Sequence, residues 1–165
     1  MIAYTNILFC TDFSEDANIA FLHALNLAKK YGAKLHILHV PHSPYQYTKQ
    51  VIDEDLPPGK ATEGEAFFDQ EVIDEAKNKL KSSYKGKMQD FTAYEFAVVS
   101  GAPDVEIIRY AKKNAIDLIV MGALGKSDPD APHRGSTVAS VSKYAHCHVM
   151  AIKNPLKQFT LPIRG

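Results

Sequence analysis

The chain has 165 residues, enough for one domain with a sizeable apolar core. Its 19 Lys and Arg balance 19 Asp and Glu, and a formal net charge of zero argues against broad electrostatic binding to nucleic acid or to an acidic membrane surface. The two cysteines, Cys10 and Cys147, show no metal-ligand or C-x-x-C spacing; no apolar run approaches the ~20 residues of a membrane span, and no basic, then apolar, leader opens the chain, so the expected location is cytoplasmic.

Residues 7–10, Ile-Leu-Phe-Cys, predict a buried strand. Thr11-Asp12-Phe13-Ser14 follows, with Ser14 placed to cap a helix. Ala17, Ala20, Phe21, Ala24, Leu25 and Ala28 recur at helical spacing until Gly32, a helix-ending glycine. Residues 34–40 predict a second strand, closed by Pro41. Residues 41–64 are rich in Pro, Asp, Tyr and Gly without a period, and read as a long surface loop of the length that often serves as a lid. Phe68, Val72, Ala76 and Leu80 repeat every four residues and predict a second helix. Residues 92–100 predict a third strand, Gly101 a turn, and Pro103 the first position of a third helix with Val105, Ile108 and Ala111 on one face. Residues 117–121 predict strand four, 136–145 helix four and 147–152 strand five, with an irregular tail after Asn154-Pro155. Both cysteines fall in apolar runs read as buried strands, where free thiols pack as small apolar groups.

The alternation of strands and helices predicts an α/β fold: a single Rossmann-like, doubly wound parallel sheet with helices on both faces. Nearly continuous apolar strands agree, because parallel strands are covered on both sides. Ligands of such sheets bind beyond the carboxyl ends of the strands, where the strand order reverses. With the order 3-2-1-4-5, that place lies between strands one and four. Asp12 follows the first and Gly122 the second, so a carboxylate able to bond ribose or base meets a glycine pattern.

That pattern is G-x2-G-x9-G-S, formed by Gly122, Gly125, Gly135 and Ser136. Glycines let backbone N–H groups approach an anion closely, and the helix opening at Ser136 adds unpaired N–H groups and positive partial charge. Gly125-Lys126-Ser127 resembles the end of a Walker A loop, but Val120 stands where that motif needs glycine, and Asp-Pro-Asp after the serine does not continue a helix. His36, His39 and His42 are close in sequence, yet strand residues 36 and 39 point to opposite faces and do not converge as ligands.

The segments 7–14, 33–40, 101–103 and 117–122, the whole glycine pattern and residues 136–147 resemble the universal stress protein family, specifically its ATP-binding branch, over residues 4–153. The resemblance implies five parallel strands, dimers joined through the last strand with the C-terminal residues packed across the interface, and ATP with Mg²⁺ or Mn²⁺. It implies a nucleotide-binding domain over residues 1–153 and a tail over 154–165. It places Asp12 at the adenosine end, Val40 as a backbone partner of adenine, and Gly122, Gly125, Gly135, Ser136 and Thr137 around the phosphates. Thr11, Met121 and Lys126 complete the expected nucleotide-contacting set.

This chain departs from the family in having Ala123 and Leu124 where a small hydroxyl and a basic residue are usual. Residues 126–134 read Lys-Ser-Asp-Pro-Asp-Ala-Pro-His-Arg. Asp128 and Asp130 are candidate ligands for a divalent cation or solvated acids that repel phosphate, with Lys126, His133 and Arg134 near enough in sequence to offset repulsion.

No nucleophile elbow, H-E-x-x-H or helical carboxylate pair points to catalysis. The preferred reading is a dimeric, ATP-regulated signalling protein of the stress response, acting on an unidentified regulatory protein partner. Two others fit the same residues: an interaction module of this fold that binds no nucleotide and uses the dimer surface and the loop with Tyr45 and Tyr47, or a slow ATP hydrolase.

Overall fold

The computed structural model describes residues 2–41, 63–123 and 136–155, and of 63–69 and 136 the backbone alone. In chain order the elements are β1 (Asn6–Cys10), α1 (Glu15–Tyr31), β2 (Lys34–His39), α2 (Glu63–Tyr84), a short 3-10 turn (Lys85–Lys87), β3 (Tyr94–Val98), α3 (Pro103–Lys113), β4 (Leu118–Gly122), α4 (Ser136–Tyr144) and β5 (His148–Ile152). The five strands form one parallel sheet in the order β3-β2-β1-β4-β5. The loop expected over residues 41–64 falls largely outside the described residues, as do His42, Tyr45, Tyr47 and the tail beyond residue 155.

Local chemistry sets the helix ends. Ser14 is extended at ψ 165° and its Oγ accepts the Ala17 amide at 3.2 Å, while Glu15 and Asp16 occupy the positive end and Lys29 and Lys30 the negative end of α1. Gly32 ends α1 at φ 64°, in the left-handed region. Pro103 is the first residue of α3, where a missing amide costs no helical bond.

Alternation along the strands sorts the core into two layers. Ile7, Phe9, Leu35, Ile37, Leu118 and Val120 pack with the alanine stripe of α1 and with Leu80 and Tyr84 of α2. Leu8, Cys10, Leu38, Ile119 and Met121 point the other way, to Ile107 and Ala111 of α3 and Val141 of α4. Each fully buried large apolar side chain contributes about 1.5–3 kcal/mol of transfer free energy, so both faces need their helices.

Two expectations are corrected. Val105 is 38% exposed, and the buried stripe of α3 is Ile107 with Ala111, Ile108 lying at its margin. Residues three apart drift around a helix, whereas 107 and 111 lie on one line facing the sheet. Strand five is not buried: among the described residues it pairs only with β4, so His148–Ile152 stay partly exposed and Cys147, one residue ahead of it, is half-buried. An edge strand lacks cover on one side. Among the described residues no helix is long and apolar enough to cross a membrane.

Candidate functional site

Cys10 pairs with Met121, so β1 and β4 end side by side where the strand order reverses. Thr11 extends β1 by one rung, its amide bonding the Leu38 carbonyl at 3.0 Å. The chain then turns through Phe13 at φ 63°, a conformation that costs a bulky side chain about 1–3 kcal/mol.

Several bonds hold this turn. The Phe13 amide donates to Thr11 Oγ1 at 2.9 Å, and the Ser14 amide to Asp12 Oδ1 at 3.0 Å. His39 Nδ1 lies 2.8 Å from the Thr11 carbonyl, and its ring centre is 4.6 Å from that of Phe13. Lys79 Nζ of α2 sits 4.3 Å from the Phe13 ring centre on a cation–π contact. The Thr11 hydroxyl is 2.6 Å from the Tyr84 hydroxyl, which donates to Asn18 Oδ1 at 3.1 Å. Tyr84 has one hydroxyl proton, so Thr11 is the donor between them. Burial pushes the Tyr84 phenol up, so it stays protonated.

On the β4 side, Met121 is buried and Gly122 half-buried. A Cβ added to Gly122 would stand 2.9 Å from the Asp16 Cβ and 3.1 Å from the Ala17 amide nitrogen. Glycine is therefore required here for the close passage of strand over helix, a role separate from admitting an anion. The Ala123 amide bonds the Ile152 carbonyl at 2.8 Å and is spent on the sheet. Val40, buried, follows β2 at the same edge of the sheet.

The crossover between the parallel strands β4 and β5 runs through α4, so α4 starts at the carboxyl edge of the sheet. Thr137 in its first turn is half-buried, and Ser140 Oγ donates to Asp104 Oδ2 at 2.7 Å, docking α4 on α3. The structure thus brings Thr11, Asp12, Val40, Met121, Gly122 and Thr137 to one end of the sheet. Gly125, Lys126, Asp128, Asp130 and Gly135, with Leu124, His133 and Arg134, lie outside the described residues, as does the side chain of Ser136.

His36 and His39 diverge as strand alternation requires. His36 is buried on the α3 side, with Nδ1 2.8 Å from Tyr110 Oη, Nε2 3.4 Å from Asn6 Oδ1 and the Glu95 carboxylate 3.6 Å from Nδ1. Among the described residues no group of three His, Cys, Asp or Glu is placed to hold a metal ion. Burial pushes both thiols up, that of Cys147 with help from Asp117, so neither is activated as a nucleophile.

Sequence reasoning missed Tyr84, Phe13, His39 and Asp16 as parts of this region. Tyr84 was within reach, because it continues the repeat of 72, 76 and 80 on α2. Nothing local marks Asp16, whose complete burial follows from the passage of β4 over α1.

A parallel sheet reversing between β1 and β4 defines a doubly wound α/β protein, with a carboxylate after one strand and a glycine after the other at the place where such sheets take ligands. A model of the universal stress protein family matches residues 3–153, and the chain belongs to that family. It is 30% identical over 156 residues to universal stress protein MJ0531 of Methanocaldococcus jannaschii, covering 94% of this chain and 85% of the relative. The solved structure of MJ0577, from the same organism, is similar with a TM-score of 0.71 and 26% identity, covering 93% of this chain and 98% of that one. A universal stress protein solved in complex with cAMP is similar in fold, with a TM-score of 0.56 and 22% identity over 92% of this chain and 98% of that one.

Proposed function

We propose that this chain is an ATP-binding universal stress protein of the cytoplasm, a nucleotide-regulated signalling protein that acts as a homodimer. The observation that carries the reading is the register Cys10 to Met121, which sets Asp12 and Gly122 on adjacent strand ends at the reversal of strand order. A relative of the same fold holds cAMP, an adenine nucleotide.

In this reading residues 1–153 are the nucleotide domain. Asp12 receives the ribose or base, Val40 offers its backbone to adenine, and Gly122, Gly125, Gly135, Ser136 and Thr137 surround the phosphates with Thr11, Met121 and Lys126. The first turn of α4 supplies N–H groups and positive partial charge to the anion. Mg²⁺ or Mn²⁺ would accompany the phosphates, with Asp128 and Asp130 as candidate ligands beside the phosphate oxygens. The bound cation would offset the charge those acids set against phosphate. The strand β5, at the edge of the sheet among the described residues, and the tail over 154–165 form the dimer contact. Nucleotide alters the affinity for a regulatory protein only through states that it binds unequally.

The test is to purify the protein without added nucleotide, release any bound nucleotide by heat, identify it by chromatography, and repeat after incubation with ATP and Mg²⁺. Recovered adenine nucleotide is the expected result. An empty protein after both treatments overturns the reading and leaves protein interaction as the function.

A further inference from the structure

We propose that Tyr84 is a positioning residue of the nucleotide site, holding the β1–α1 turn through the Thr11 hydroxyl so that the docking of α2 governs nucleotide affinity; this rests on the nucleotide reading above. The turn that carries Asp12 is not at rest by itself, since Phe13 sits at φ 63°. A conformation of that kind persists only where the surroundings over-determine it, and beside His39 of β2 those surroundings include two side chains of α2. Tyr84 is the last residue of α2, fully buried against Phe9 and Phe21 at ring-centre distances of 5.3 and 4.9 Å.

Its hydroxyl stands in the middle of a directed chain of bonds. Thr11 donates to Tyr84, Tyr84 donates to Asn18 of α1, and the Thr11 oxygen accepts the Phe13 amide. The chain therefore ties the strained residue to two helices at once. Lys79, about 1.4 turns earlier on α2, adds a cation over the Phe13 ring at 4.3 Å. Two side chains of one helix thus grip the turn, one through a hydroxyl and one through a ring face. Undocking α2 releases both, and the turn carrying Asp12 is freed to leave its binding conformation. Nucleotide that needs that conformation binds the docked state better, which makes α2 the element whose position nucleotide controls.

Tyr84→Phe keeps the buried ring and removes only the hydroxyl. In nucleotide-free protein, hydrogen exchange at the Phe13 and Ser14 amides is expected to accelerate several-fold, while the amide of Val120 in β4 stays protected. By calorimetry with ATP and Mg²⁺, Tyr84→Phe is expected to raise Kd about fivefold, as loss of one hydrogen bond allows. Thr11→Val removes the other end of the bond, and in the double variant Tyr84→Phe should add clearly less loss than it causes alone, the remainder being its bond to Asn18. Equal Kd in wild type and Tyr84→Phe, or additive losses in the double variant, overturns the proposal while the nucleotide reading stands. Exchange rising equally at Val120 identifies a general loss of stability and overturns it too. A wild type that binds neither ATP nor AMP removes the nucleotide reading and the proposal together.

Discussion

Gly122 at the end of β4 passes so close to Asp16 in the first turn of α1 that a single added carbon would stand 2.9 Å from the Asp16 Cβ. Gly122→Ala is therefore expected to destabilise the fold by about 1–3 kcal/mol, the usual cost of overpacking. The urea midpoint should fall with an unchanged slope. A variant that keeps its midpoint but loses nucleotide would assign the glycine to anion approach alone.

Asp12 has a separable pair of roles. Its Oδ1 accepts the Ser14 amide, a bond that asparagine can also make, whereas the charge is unique to the carboxylate. Asp12→Asn should leave the unfolding midpoint within about 0.5 kcal/mol of wild type. ATP affinity should drop about tenfold or more if the charge bonds ribose hydroxyls. Equal affinity by calorimetry would remove Asp12 from the site.

Ser14→Ala removes the bond that closes the first turn of α1. The expected loss is about 1 kcal/mol, read from denaturant unfolding, and Ser14→Asp should restore most of it. Because Ser14 also ends the Asp12 turn, Ser14→Ala should weaken nucleotide binding alongside stability.

His36 makes stability depend on pH in one window. Burial lowers its pKa below 6.5 by more than Glu95 raises it, so the fold prefers the neutral ring. Above 6.5 neither state carries the proton. As pH falls through 6.5 the unfolded chain takes it up first, and stability declines until pH passes the folded pKa. Glu95 acts in a lower window: Lys34 holds its carboxyl below 4.5, and that contribution is lost as pH falls through the folded value. It is small, because the pair is largely solvated. Melting temperature followed from pH 8 to 4 should show the first decline in wild type and its absence in His36→Gln. A decline that persists in the variant would place the titration elsewhere.

Much of the architecture was legible. The caps at Ser14 and Gly32 and the first helical position at Pro103 are local chemistry, and each is where the pattern of side chains put it. The alternation of elements predicted the parallel sheet, and the order taken for it, 3-2-1-4-5, is the one observed, which brings Asp12 and Gly122 together. The α3 stripe was misread at Val105, because spacing along a helix does not say which side the sheet lies on. Strand five was read as buried because an apolar run looks alike at the centre and at the edge of a sheet.

The amino-acid sequence by itself determined the order and kind of the elements, the two faces of each strand and the ends of the helices, because these depend on neighbours within a few residues. Only the tertiary structure decided what the key side chains meet. Thr11 and Tyr84 are 73 residues apart in the chain and 2.6 Å apart in space. Gly122 lies against Asp16, and His39 against Phe13, for the same reason. Such contacts arise when packed layers fix the separation of distant segments to a fraction of an ångström, a constraint that no local pattern encodes.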